Sequence, residues 1–348
     1  MKWVKSLGLI LLIFSTTGCQ IPYLIKNSWH QTKILKARKP ITEVLNDPAI
    51  TSEAKRKLIL IQDAKHFAES TLKLTPTKNY STYVDLKREY VTWVVRAAPK
   101  HALEPYTWWF PITGSVPYKG YFTKEGAVDE SHSLKKKGYD TFVRGVTAYS
   151  TLGWFEDPVL NTMMDYDDYE LVNLIIHETV HATLFIKSNV DFNERLATFI
   201  GNKGAQIFFE TQNKGSEILK TASDRNNDNS VFSKFITSEI ENLKSWYKAE
   251  GKNSSEDQRQ EKFKSISQKF QKDIAPQMKS DQFQDFPQLP LNNAVLLSFQ
   301  SYQVNLDLFE KLYTALGSDF SNFIHFCTKL ESEGDPHKKI EDYLKMQK

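Results

Sequence analysis

The sequence predicts an α+β fold that is predominantly helical, with a small antiparallel sheet ahead of one central, buried helix. Apolar residues recur at helical spacing from residue 51 to residue 72 and again in the last third of the chain. Between residues 80 and 149, short aromatic and β-branched runs alternate with Gly, Pro and Ser, a pattern typical of strands and turns. The stretch from Leu171 to Ile186 is almost wholly apolar, which indicates a helix buried on most of its surface.

The first twenty residues have the pattern of an export signal. Lys2 and Lys5 precede an apolar run at residues 7–14, which is far shorter than the roughly 20 residues that span a bilayer. The sequence TTGC then resembles a bacterial lipobox, in which the cysteine, here Cys19, is lipidated and becomes the mature N-terminus. Thr16 stands where leucine is most common, and ordinary secretion is the alternative. Because Gln20 is not the aspartate that favours inner-membrane retention in enteric bacteria, we expect an outer-membrane lipoprotein that faces the periplasm.

Composition favours one large domain that is stabilised by its core. Cys327 is the only cysteine besides Cys19, so a chain lipidated at Cys19 has no internal disulfide. The formal net charge is +3 and the lysines are scattered among acids, which argues against nucleic-acid binding. We expect a signal peptide at 1–18, a lipid-anchored tether at 19–50 and a single domain at 51–348. Within that domain, 51–204 would hold the sheet and the central helices, and 205–348 a helical C-terminal part.

Three ionisable residues interrupt the apolar stretch: His177, Glu178 and His181. Such groups are costly in a buried helix unless something compensates them, and a divalent metal does so. The two histidines are four residues apart and therefore project from one helical face, with the glutamate beside them. This HExxH spacing is typical of sites in which two imidazoles hold Zn²⁺ and the glutamate acts as general base on a bound water. The alternative is a pair of core histidines without a metal.

A catalytic zinc needs a third protein ligand and an open position. The metzincin continuation of HExxH, with a glycine and a further histidine, is excluded because Leu184 and Lys187 occupy those positions. Of the acids that follow, Asp191 and Glu194, the second is the better candidate because its helical face carries small residues that let two helices approach. These small residues are Ala197, Gly201 and Gly204. In the alternative, Glu194 is an exposed acid at a helix start, paired with Arg195.

Four short runs predict strands, at residues 90–95, 108–112, 119–122 and 141–149. The last run ends shortly before the HExxH helix, where zinc peptidases use an edge strand to pair with extended substrate. We therefore expect Ala148 and Tyr149 to contact the backbone of a peptide substrate. A plain structural strand is an equal alternative.

Four segments stand in order along the chain: TWVVRAAPKHALEPYTWWFPITGSVPYKGYF (92–122), GVTAYSTLGWFEDPVLNTMM (145–164), LIIHETVHATLF (174–185) and FNERLATFIG (192–201). Together they resemble the bacterial "putative aminopeptidase" family, whose members are typically lipoproteins with HExxH followed closely by NExxA. The resemblance covers roughly residues 40–330 and implies a gluzincin-like, zincin-type peptidase. It implies His177, His181 and Glu194 as zinc ligands and Glu178 as base. Family members often carry NESFA where this chain has NERLA, a difference that leaves the ligand in place.

Beyond residue 204 the pattern predicts further helices with solvated outer faces. One of them follows the turn at 286–290, is capped by Asn292 or Asn293, and carries Tyr302. Gluzincins place a Tyr or His donor from a downstream helix against the oxyanion of the tetrahedral intermediate. The resemblance suggests Tyr302 for that role. A core aromatic is the alternative, and Tyr149 is the second candidate donor.

The sequence therefore predicts a zinc metallopeptidase that acts on peptides, is anchored to the membrane through a lipid on Cys19 and, by resemblance, is an aminopeptidase. Two alternatives stay open. An endopeptidase is one, because no acidic anchor for a free amino group can be placed in the sequence. The other is an inactive zinc-binding envelope scaffold whose Lys/Glu-rich helices bind a partner.

Overall fold

The computed structural model describes residues 21–110, 114–148, 155–186, 189–212, 215–250, 253–300, 306–330 and 334–347. Its α-helices are α1 (Ile21–Lys36), α2 (Ile41–Val44), α3 (Ser52–Ser70), α4 (Lys124–Lys136), α5 (Asp168–Thr183), α6 (Val190–Glu210), α7 (Gly215–Glu250), α8 (Glu256–Lys269), α9 (Asn293–Gln300), α10 (Asp307–Ala315), α11 (Phe320–Lys329) and α12 (Pro336–Met346). Its strands are β1 (Lys39–Pro40), β2 (Thr82–Val84), β3 (Thr92–Pro99), β4 (Trp108–Phe110), β5 (Gly114–Val116), β6 (Lys119–Tyr121), β7 (Tyr139–Val146) and β8 (Val159–Leu160). The prediction of a predominantly helical α+β fold is confirmed.

The strands of the described ranges form three small sheets. In the antiparallel sheet, β3 is central and pairs with β6 on one side and β7 on the other. In another sheet, β2 pairs antiparallel with β1 and parallel with β8, and β4 and β5 form a hairpin. Strand β8 lies eight residues before α5, so the sheets precede the HExxH helix as the sequence predicted.

Strand β7 is shorter at its C-terminal end than the sequence predicted. Its ladder with β3 ends at the pair Thr92–Val146, because β3 begins there. The next carbonyl, that of Thr147, accepts a hydrogen bond from the Thr162 hydroxyl instead of from a strand. Ala148 therefore follows the strand, and it packs half-buried against the main core.

Residues 21–50 differ from the tether that we expected. They form α1, β1 and α2, and the side chains of Ile34, Ile41 and Val44 are buried in the main core. The Tyr23 hydroxyl also donates a hydrogen bond of 2.6 Å to the carbonyl of Gly120 in β6. This segment packs because its polar residues are interrupted by apolar ones on inward-facing positions.

The main core surrounds α5, which packs against α3 and α6. Leu171, Ile175 and Ile176 of α5 are fully buried there. A second core lies among α7, α8 and α9, and a third, smaller one lies between the β3 sheet and α4. None of the helices in the described ranges is long and apolar enough to cross a membrane.

Candidate active site

Helix α5 begins at a reciprocal cap. The Asp167 carboxylate accepts a hydrogen bond of 2.8 Å from the Glu170 backbone, and the Glu170 carboxylate accepts one of 3.4 Å in return. From this start, one face of the helix carries the residues that pack into the main core. His177, Glu178 and His181 fall on the opposite side of the helix, in a partly buried strip.

The turn from α5 to α6 is held by a buried asparagine. The Asn193 side chain accepts a hydrogen bond of 2.9 Å from the Ile186 backbone N–H and donates one of 2.9 Å to the Ile186 carbonyl. These two hydrogen bonds fix the first turn of α6 against the segment that follows α5, and so place the next residue, Glu194, over the histidines. Asn193 is the asparagine of the NERLA run, and the sequence predicted no role for it. The available signal was an amide at a core position directly before the expected ligand.

The close approach of α5 and α6 depends on residues without side chains. A Cβ atom at Gly201 would lie 2.9 Å from the Asn173 Oδ1 and 3.3 Å from the His177 Cβ. A Cβ atom at Gly204 would lie 2.7 Å from the Leu72 side chain and 3.1 Å from that of Ile176. The small residues therefore act as the sequence predicted, since they let the two helices pack closely enough for a carboxylate to reach the histidines.

The three predicted ligands converge. The Nε2 atoms of His177 and His181 are 3.2 Å apart. The Glu194 carboxylate lies 3.5 Å from the Nε2 of His177 and 3.4 Å from that of His181. Among the described residues, these form the single group of three or more His, Cys, Asp or Glu side chains close enough to hold one metal ion.

Electrostatics tie the three groups together. Hydrogen bonds from His177 and His181 lower the pKa of Glu194 to about 2. Burial lowers the pKa of His181, but its hydrogen bond to Glu194 and the charges of Glu194 and Glu178 outweigh that effect and raise it above the ordinary value. The cluster therefore attracts positive charge, as a cation site requires.

Glu178 presents a buried carboxylate oxygen to the site. Its Oε2 has no hydrogen-bond partner within the described residues, and neither has the Nδ1 of His181. A buried acceptor without a donor is costly, so this oxygen is poised to accept a proton or a hydrogen bond from a bound molecule.

Asp191, the other acid that the sequence offered, points elsewhere. Its carboxylate forms an ion pair of 3.5 Å with Arg195, one turn further along α6, and is largely exposed. It is not part of the converging group.

Tyr80 is a residue near Glu178 that the sequence gave no reason to choose. It is buried and has a left-handed backbone, with φ of 57°, held by hydrogen bonds from its N–H to Asp157 and from Gln62 to its carbonyl. Burial, together with the charges of Glu178 and Asp157, raises the pKa of its hydroxyl well above the ordinary value. The Tyr80 side chain is therefore a neutral phenol in the neighbourhood of the Glu178 carboxylate.

Three other predicted positions, Cys19, Tyr149 and Tyr302, lie outside the described residues. Ala148 is described, but the strand that was to present it ends before it.

The fold and the site define a predominantly helical α+β protein in which an HExxH helix and the helix after it bring together two histidines and a glutamate that could hold a metal ion. The chain matches a protein family described as "putative aminopeptidase" over residues 22–341, and it belongs to that family. Membership indicates a peptidase, whose substrates are peptides. No curated protein and no solved structure matches the chain.

Proposed function

We propose that this protein is a zinc metallopeptidase and, within that class, an aminopeptidase. The observation that supports the proposal most is the meeting of His177, His181 and Glu194 beside the unpaired carboxylate oxygen of Glu178. A tetrahedral zinc ion with ligand distances of about 2.0–2.1 Å separates its donor atoms by roughly 3.4 Å. The two Nε2 atoms, 3.2 Å apart, fit that requirement. The Glu194 carboxylate faces both of them, with its Oε2 3.5 Å from the Nε2 of His177 and its Oε1 3.4 Å from that of His181.

In this proposal His177, His181 and Glu194 hold the ion and leave a further position open for substrate and water. Zinc, when bound, supplies a Lewis acid that polarises the scissile carbonyl and makes water acidic. Glu178 takes a proton from the attacking water and returns it to the leaving amine.

The remaining residue roles in this proposal come from the sequence. They are Tyr302 as oxyanion donor, and Ala148 and Tyr149 as contacts to the substrate backbone. Each stays a prediction.

Replacing Glu178 by glutamine tests the mechanism. Glu178→Gln should keep stoichiometric zinc, measured by atomic emission, because the three ligands are intact. Its kcat should fall by about a hundredfold or more, the usual contribution of a general base. Glu241→Gln, which changes an exposed glutamate of α7, serves as the matched control and should leave both quantities unchanged. Zinc-free wild-type protein, or a fully active Glu178→Gln variant, would refute the proposal.

A panel of peptides with free and blocked N-termini tests the aminopeptidase assignment. Cleavage restricted to free N-termini supports it. Cleavage of blocked peptides identifies an endopeptidase instead. Absence of cleavage with any added divalent metal favours the inactive zinc-binding scaffold.

We also propose that the protein resides in the cell envelope, anchored by a lipid on Cys19 and facing the periplasm. The support is the signal and lipobox pattern of the first twenty residues. Cys19→Ser should abolish incorporation of labelled fatty acid and release the protein from the membrane fraction. Unchanged fractionation of that variant would contradict the anchor.

A further inference from the structure

A cavity of about 340 Å³ lies beside the candidate active site. His177 and Glu178 form one end of it, and it extends along α5 towards the start of that helix, where Glu170 lines the wall. Helices α6 and α7 close its sides. A volume of this size is in the range of small-molecule and side-chain pockets. The cavity can therefore hold part of a molecule that binds at His177, His181 and Glu194.

The charges around the cavity favour a cationic guest. Arg225 is the one cation among the described residues that line it. Its guanidinium is in close contact with the Asp167 carboxylate and lies 3.3 Å from that of Glu170. Two carboxylates thus share one guanidinium, and Glu178 adds a further acid at the other end. A substrate carboxylate would find Arg225 already neutralised.

Glu170 retains capacity for another partner. About half of its side chain is exposed, and within the described part of the chain its Oε2 accepts only the 3.4 Å hydrogen bond from the Asp167 backbone. Burial raises the pKa of this carboxyl by more than the charge of Lys57 lowers it. The Lys57 ammonium itself is turned towards the main-chain oxygens of Met164 and Tyr166 and does not line the cavity. An added cation would therefore stabilise the ionised carboxylate.

The register along α5 sets the length of that cation. Glu170 and His177 are seven residues apart and so lie on one face, about 10.5 Å apart along the helix axis. Lysine and arginine are the side chains whose long stems carry a positive charge over most of that span. Leu174 and Ala222 also line the cavity and can contact the stem. The amide side chains of Asn173 and Asn202 make a further part of the wall polar.

We infer that this cavity accepts the lysine or arginine side chain of a residue that flanks the scissile bond, with Glu170 as the group that recognises the cation. The inference rests on the proposed function, because it takes the scissile bond to lie at His177, His181 and Glu194. Glu170 is a specificity-determining residue in this scheme and takes no part in the chemistry.

The test compares peptides that differ only at one position, with lysine or norleucine there. Norleucine keeps the four-carbon stem and lacks the ammonium, so the ratio of the two dissociation constants isolates recognition of the charge. Each of the two residues that flank the scissile bond is varied in turn. Binding is measured by calorimetry on the Glu178→Gln protein, which should hydrolyse peptides more slowly by about a hundredfold or more. The ratio kcat/KM is measured on the wild type.

Lysine should be favoured over norleucine by about fivefold at one of the two positions, the effect of one partly exposed ion pair. Adding Glu170→Gln should bring that ratio close to one. The control is Asp168→Asn, which removes a charge two residues before Glu170. Asp168 pairs with Arg56 and does not line the cavity, so this variant should preserve the ratio. Thermal unfolding of each variant verifies that it is folded.

Three results would overturn the inference: equal binding of lysine and norleucine peptides at both positions, a ratio that Glu170→Gln leaves unchanged, or a ratio that Asp168→Asn lowers equally. These results are distinct from failure of the proposed function. If no peptide is hydrolysed and the lysine ratio still depends on Glu170, the peptidase proposal fails and the cavity remains a cation-binding pocket. If peptides are hydrolysed without any lysine preference, the peptidase proposal stands and the inference of a cation-binding pocket fails.

Discussion

Glu194 and Asp191 are three residues apart on α6, yet only the first meets the histidines. Asn193 decides the difference. Its side-chain amide accepts a hydrogen bond from the Ile186 backbone N–H and donates one to the Ile186 carbonyl, and so orients the first turn of α6. The carboxylate that follows it is directed to the Nε2 atoms, whereas that of Asp191 turns outward to Arg195. Which of the two acids can serve as the proposed third ligand therefore depends on a position within one helical turn.

Exchanging each of these acids for its amide measures that difference. Glu194→Gln should lower zinc affinity by about a hundredfold or more, since it removes a charged ligand. Asp191→Asn should leave zinc affinity unchanged, because its carboxylate serves only an exposed ion pair. Competition with a chromophoric chelator gives both affinities. Equal losses of zinc affinity in the two variants would show that the assignment of Glu194 as the third ligand is wrong.

The pH dependence of zinc uptake follows from the two pKa shifts. Glu194, with its pKa lowered to about 2, stays ionised throughout the neutral and mildly acidic range. Because the pKa of His181 is raised, protons compete with the metal for this imidazole already at pH values above the ordinary histidine pKa of about 6.5. Zinc affinity should therefore fall as the pH is lowered from about 8 to 5, with proton release on binding. Calorimetry in buffers of different ionisation enthalpy measures this release, and a pH-independent affinity would exclude histidine ligation.

At the scale of elements, the pair α5 and α6 is the frame of the site. The HExxH residues occupy one strip of α5 while its opposite face is buried in the main core, so the helix cannot rotate without exposing apolar side chains. Helix α6 crosses it closely because Gly201 and Gly204 present no side chains. The distance between these two helices therefore sets the distance between the histidines and Glu194, the three proposed ligands.

Adding one methyl group at this contact should therefore affect the metal. In Gly201→Ala, the new Cβ would press on Asn173 and on the His177 Cβ, and α6 would shift by a few tenths of an ångström. We expect zinc affinity to fall by about tenfold, the scale of other changes behind metal ligands. The matched control is Gly120→Ala, where a Cβ meets nothing within 4 Å, and it should bind zinc normally. Normal zinc affinity in Gly201→Ala would show that the contact between α5 and α6 accepts a Cβ atom without displacing the proposed ligands.

At the scale of the whole molecule, a buried polar cluster joins the antiparallel sheet to the C-terminal helices. Arg259 of α8 is fully buried, pairs with Asp140 of β7 and donates a hydrogen bond to the Tyr247 hydroxyl of α7. Asn293 of α9 donates its backbone N–H to the same aspartate. Strand β7 thus meets the C-terminal helices α7, α8 and α9 at one buried charge pair, and loss of Arg259 would leave the buried Asp140 carboxylate without its cation.

Double-mutant analysis tests this cluster. Arg259→Met leaves the Asp140 carboxylate buried without its cation and should lower the free energy of unfolding by about 3–5 kcal/mol. The double variant Arg259→Met/Asp140→Leu removes both charges and should recover a large part of that loss. Urea unfolding with unchanged m-values gives the comparison. If the double variant is no more stable than the single one, the cluster stabilises through packing alone and the charge argument is wrong.

The sequence by itself determined the features that local geometry controls. Two histidines four residues apart share a helix face in any α-helix, so the HExxH pair needed no tertiary information. Periodicity likewise predicted the helical character of the chain, and the small residues at 197, 201 and 204 predicted a close helix contact beside Glu194.

Tertiary structure alone decided the rest, because those features depend on contacts between residues distant in the chain. The end of β7 depends on where β3 begins and on Thr162, and residues 21–50 pack because a core formed by later helices accepts their apolar side chains. Tyr80 reaches the surroundings of Glu178 from a loop almost a hundred residues earlier. The cavity with Glu170 and Arg225 exists only where α5, α6 and α7 meet. Periodicity describes which face of an element is buried, and it carries no information on which other element covers that face.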